Sequence, residues 1–124
     1  MEIQRDKIGR MAMMLAAIGA VGAFATGVQA LQIVGPDRIW IEAWRTFGFL
    51  VFAGLFGLLA LFPRRLPGVW ELVLFHKLAM VTFGLFHEGV AEAAFAGRVD
   101  LVLVAIIALA WWLCRGWQSW KAAT

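Results

Sequence analysis

The stretch "TFGFLVFAGLFGLLALFPRRLPG", residues 46–68, decides how this chain is read. Its first seventeen residues carry no charge and one hydroxyl, and then two arginines arrive between two prolines. A helix on the surface of a soluble domain would show a polar side at every turn. A run this uniformly apolar needs apolar surroundings on all sides, and it covers most of a hydrocarbon core about 30 Å thick. The "PRRLPG" that follows cannot continue the helix and reads as a tight basic hairpin.

Working outward, three more stretches have the same character. They run from about 11 to 34, from 69 to 89 and from 99 to 117, and the opening span extends back to about Ile39. Each approaches the roughly 20 residues that a membrane-crossing helix requires. "GPDR" (35–38) and "AGRVD" (96–100) supply the other two breaks, with Gly97 as a helix terminator and Asp100 near the next N-terminus. The third helix can also continue toward Phe95. With 63% apolar residues the chain exceeds the 45–50% usual for soluble domains, and the excess lies in blocks. The expected fold is all-α: an integral membrane four-helix bundle forming a single transmembrane domain over 1–124.

Basic residues set the expected orientation. Arg5, Lys7, Arg10, Arg64, Arg65, Arg115 and Lys121 fall on one side, against Arg38, Arg45 and Arg98 on the other. By the positive-inside rule both termini are cytoplasmic, in a multi-pass protein of a bacterial-type inner membrane. A basic start followed by "VQA" at 28–30 also resembles a secretory signal. The apolar region is longer than a signal core, so a retained span is expected.

Composition excludes several functions. The +3 formal charge raises nucleic-acid binding, but the basic residues sit at the ends of apolar blocks rather than along one stripe, so no nucleic-acid partner is expected. The lone Cys114 rules out an intrachain disulfide. No HExxH, CxxC, P-loop or dinucleotide fingerprint occurs, and the one serine is Ser119. No catalytic residue and no metal ligand is assigned. An enzyme acting alone is the lesser reading, and any cofactor is unknown.

The candidate site is "VLFHKLAMVTFGLFHEG" (73–89), which places His76, Lys77, His87 and Glu88 in an oily segment. On a helix His76 and His87 share one face about 16 Å apart, with Lys77, Gly84, Glu88 and Glu92 on the adjoining strip. Leu72, Phe75, Leu78, Thr82, Leu85 and Phe86 form the opposite side, which should meet lipid. A plain reading has Lys77 snorkelling to the headgroups beside Arg64, Arg65 and Glu71, with His87 and Glu88 wet at the far interface. If Lys77 has an intrachain carboxylate, Glu42, Glu71, Glu88 and Glu92 are the candidates. Three functional readings stay open beside it. The face lines a polar cavity passing a proton, ion or small solute; it docks a partner subunit or a quinone-like or lipid molecule; or His76 or His87 ligates haem, which within one helix demands a symmetric oligomer.

The front of the second span, "RIWIEAWRTFG" (38–48), adds Glu42 and Arg45, three apart and able to pair, flanked by Trp40 and Trp44. They form either an interfacial anchor or a receptor for a carboxylate or lipid phosphate. Trp111, Trp112, Trp117 and Trp120 are belt-like, and Cys114 reads as an inert thiol. Gly19, Ala23 and Gly27, preceded by Ala12 and Ala16, and Ala53 with Gly57 are close-packing ridges, for intrachain contacts or self-association.

Residues 42–65, "EAWRTFGFLVFAGLFGLLALFPRR", resemble the second helix and turn of small DoxX-like four-helix membrane proteins. That resemblance implies a compact bundle associated with quinone-linked or thiol-linked redox systems. The family's polar position in the first helix has no clear counterpart, since Gln29 and Gln32 lie near that helix's far end. The leading expectation is a non-catalytic membrane protein whose third helix binds or passes a proton, ion or small molecule. The alternative is an accessory or cofactor-binding subunit of a membrane redox complex.

Overall fold

The computed structural model describes residues 1–123, and the described residues contain helices and turns but no strand. Four long helices run α1 (Glu2–Leu31), α2 (Ile39–Leu61), α3 (Val69–Leu85) and α4 (Ala91–Leu113). A 3-10 turn (Gly116–Gln118) and the short α5 (Ser119–Ala123) follow. Helices α1, α2 and α4 are long and apolar enough to cross a membrane, whereas α3, at 17 residues, is shorter.

Three boundaries differ from the sequence reading. Helix α1 begins at Glu2 rather than near Met11, so the basic tail is helical and the whole element is about 45 Å long. That exceeds the hydrocarbon thickness and leaves its charged first turns for a polar layer. Helix α3 stops at Leu85, and residues 86–90, "FHEGV", form the turn. "AGRVD" is not a break: it lies inside α4, which starts at Ala91. The cause is local propensity. Four alanines between 91 and 96 favour helix strongly enough to carry Gly97, whose cost is about 1 kcal/mol.

The first connection and the hairpin between α2 and α3 follow expectation. Phe62, held before Pro63, leaves the helical region at φ −131 and ψ 64 and ends α2. Gly68 at φ +87 is a left-handed corner that a side chain would strain, and it starts α3.

Helices α1 and α2 form one tight hairpin, α3 and α4 another, and α1 packs on α4, while α2 and α3 touch least among these neighbours. Residues 1–10, the 62–68 turn and the segment after α4 gather at one end, tied by Arg64 to Asp6 and to the Cys114 carbonyl, and by Arg115 to Glu2. There the core is dense. Met13, Phe56, Leu59, Trp70, Ile107, Ala110 and Cys114 are buried together, and the Trp70 indole donates to the Pro63 carbonyl at 2.9 Å. The expected ridges are only partly used: Ala16, Ala53 and Gly27 are buried, but Gly19 and Gly57 have open space beyond the Cα.

Toward the opposite end the packing thins. No α3 residue after Lys77 and no α4 residue before Asp100 is buried. The two hairpins are clasped again at their tips, where Arg38 contacts both Glu42 and Glu92 at 3.3 Å.

Candidate functional site

Lys77 has eight residues of α3 on either side, so it stands about 12 Å from each helix end. Its ammonium does not snorkel to the headgroup side. It turns inward and meets Asp100 of α4, with Nζ to Oδ1 at 3.2 Å. The side chains are 8% and 12% exposed, which makes this a buried ion pair. Asp100 was outside the expected carboxylate partners, Glu42, Glu71, Glu88 and Glu92. The misplaced break accounts for that. A helix starting at Ala91 carries Asp100 nine residues inward, opposite Lys77, instead of leaving it at an interfacial N-terminus.

Phe52 of α2 completes the centre. Its ring centroid is 4.3 Å from the Lys77 ammonium, a cation–π contact, and 4.7 Å from the His76 imidazole. One aromatic ring therefore touches both polar side chains, and this is a point where the sparsely packed α2 and α3 meet. His76 is itself exposed, on the outer side of that junction. The arrangement runs from an accessible imidazole, over an aromatic ring, to a buried ammonium and carboxylate.

Chemically, the pair satisfies itself only in part. An ammonium offers three protons and a carboxylate accepts at two oxygens, and one 3.2 Å contact uses one of each. Removing two charges from water costs several kcal/mol per ion, and their attraction offsets this only with good geometry and further partners. A pair of this kind is poor structural cement, and its cost at this depth marks it as a candidate for a role beyond packing.

The other expected residues lie elsewhere. His87 is in the turn after α3 rather than on the His76 face. It is exposed, stacked on Phe83 at 4.1 Å, with Nδ1 2.8 Å from the Phe83 carbonyl. Glu88 is exposed beside it. Glu42 is buried, held by Arg38 at 3.3 Å and Arg45 at 3.8 Å, with Arg45 also over the Phe49 ring. Trp40 and Trp44 are each 79% exposed, as side chains in an interfacial belt would be. The six expected residues thus occupy three places: Glu42 is a buried carboxylate held by two half-exposed arginines, and at the Lys77–His76 centre both members of the ion pair are buried. Among the described residues no group of three or more His, Cys, Asp or Glu side chains is placed to hold a metal ion.

Comparison with known proteins returns nothing to set beside this geometry: no protein-family profile, no curated protein and no solved structure matches the chain.

Proposed function

We propose that this is a small multi-pass inner-membrane protein that binds and passes a proton through Lys77 and Asp100, with His76 as the group that exchanges with the outside of the bundle. The supporting observation is the ion pair itself, buried at mid-length in helices whose neighbours are apolar enough to cross a membrane. Ionisable residues at that depth are costly and belong by default to ion or proton pathways. In this reading α3 and the 86–90 turn together cross the bilayer, giving four spans, and both termini lie in the cytoplasm.

The pair stands where packing changes from dense to open. Transfer of a proton from Lys77 Nζ to Asp100 Oδ1 leaves a neutral amine and a neutral acid. The amine then takes a proton from a donor entering between α2 and α3, where His76 sits beside Phe52, and the acid gives its proton to an acceptor, which restores the ion pair. Helix α4 carries the carboxylate and α3 the base, so their relative motion opens or closes the step.

The test is proton flux into proteoliposomes holding a pH-sensitive dye, under an imposed membrane potential. Flux above that of protein-free vesicles is expected, and the double variant Lys77→Met with Asp100→Asn abolishes it without leaving an unpaired charge. Glu88→Gln leaves it unchanged. Equal flux from the double variant and the original protein would sink the proposal.

A second reading has one observation in its favour. The Phe52–His76 contact beside an ammonium provides an aromatic surface with polar anchors, the chemistry that holds a quinone ring. It fits the redox-accessory role implied by the likeness of residues 42–65 to DoxX-like proteins. Quenching of intrinsic fluorescence by a soluble quinone, lost in Phe52→Leu, would favour it.

A further inference from the structure

At the end that gathers the termini, α1, the last turn of α2 and the segment after α4 border a cleft of about 600 Å³. Lys7, Arg10, Arg64 and Arg115 line it, against the two carboxylates of Glu2 and Asp6, so its wall carries two excess positive charges. Met11 and Met14 continue the lining one to two turns further along α1, with Leu61 opposite. The wall therefore changes from basic to apolar over about 6–10 Å along α1.

The guanidiniums are held in place with donors to spare. Arg10 donates from Nε to the Ala60 carbonyl at 2.7 Å and from Nη2 to Leu61 at 3.4 Å. Arg64 makes its contacts to Asp6 and to the Cys114 carbonyl through Nη1 alone. A guanidinium has five N–H donors, so each keeps unused ones. Lys7 is exposed and has no hydrogen bond or ion pair with another described residue. Among the described residues the Arg115 guanidinium is engaged only by Glu2, a side chain 73% exposed.

We propose that this cleft binds an acidic phospholipid, its phosphate on Lys7 and Arg10 and the start of its acyl chains along Met11 and Met14. The basic mouth alone fits any phosphate ester. The exposed methionines and Leu61 fit an amphiphile, because only a lipid covers them while its phosphate stays among the cations. The site is independent of the Lys77–Asp100 centre: it uses none of its residues.

The full chain, purified in a zwitterionic detergent, would be mixed with phosphatidylglycerol and phosphatidylcholine in equal amounts, and retained lipid read by native mass spectrometry. Phosphatidylglycerol should be retained preferentially, and millimolar inorganic phosphate should not displace it. Lys7→Gln should lower the preference about fivefold, the weight of one basic residue at an anionic surface. Glu2→Gln should raise it by freeing Arg115, a gain that misfolding cannot imitate. Equal retention of both lipids, displacement by inorganic phosphate, or a preference untouched by Lys7→Gln and Glu2→Gln in normally helical protein would each overturn the proposal.

Discussion

Lys77 and Asp100 form an ion pair at 3.2 Å that joins the middle of α3 to α4. No other ion pair within the α3–α4 hairpin is present among the described residues. The Lys77 ammonium also lies over the Phe52 ring, and neither charge has a second ion-pair partner among the described residues.

Breaking that pair from one side should therefore cost more than deleting it. Asp100→Asn leaves a buried ammonium alone, and Lys77→Met leaves a buried carboxylate, each expected to destabilise by about 3–5 kcal/mol. The double variant should recover most of the loss, because replacing a buried pair by neutral groups is close to neutral. Thermal unfolding in detergent, followed by circular dichroism across the four-protein cycle, measures the coupling. Additive losses would show that the two groups act separately.

How far the sequence could be read is clear from the same residues. The uncharged run 46–62 and its "PRRLPG" turn announce α2 and the hairpin, because a single uniformly apolar segment of this length satisfies its own backbone only as a helix. Lys77 was legible as an anomaly for the same reason. Its partner was not, since Asp100 is 23 positions away and its helical phase depends on where α4 starts. That start is set by a modest balance between alanine propensity and one glycine, against a real turn closed by the Val90 N–H on the His87 carbonyl at 3.0 Å. His76 and His87 share a face only on a helix that continues past Leu85, and α3 ends there. The clasp of Arg38 on Glu92 and the contact of Phe52 with Lys77 are tertiary, with no local signature at all.

Gly27 is the second place where a small change should have a large effect. A Cβ there would collide with Thr46 Oγ1 and lie 2.9 Å from Cγ2, and Thr46 is fully buried with a stiff β-branched side chain. Gly27→Ala should cost about 1–3 kcal/mol by overpacking, while Gly19→Ala, facing open space, should be neutral or slightly stabilising. The Thr46 hydroxyl has no hydrogen-bond partner among the described residues, so Thr46→Ala removes the two nearest obstacles and an unsatisfied group, leaving only its Cβ at 3.0 Å. Adding Thr46→Ala to Gly27→Ala should recover most of the lost melting temperature. A double variant as unstable as Gly27→Ala alone would place the strain elsewhere.

Cys114, one residue past α4, should behave as a thiol that does not ionise near neutrality. Burial, with the Asp6 carboxylate adding to it, pushes its pKa up from 9.0 to about 11. Its Sγ also packs where a Cβ on Gly9 would stand, so an alkylating reagent has no approach without separating α1 from the end of α4. The folded protein in detergent should accordingly resist iodoacetamide at pH 8 and react fast once unfolded in dodecyl sulfate. The same shift fixes the sign of a pH effect. Between about 9 and 11 the unfolded thiol releases its proton while the folded one keeps it, so the unfolded state binds fewer protons and stability falls as pH rises. Below 9 both forms stay protonated and this contribution is fully present. Cys114→Ala should flatten the difference in melting temperature between pH 8.5 and pH 10.5, relative to the original chain. An unchanged slope would assign that alkaline loss to other groups.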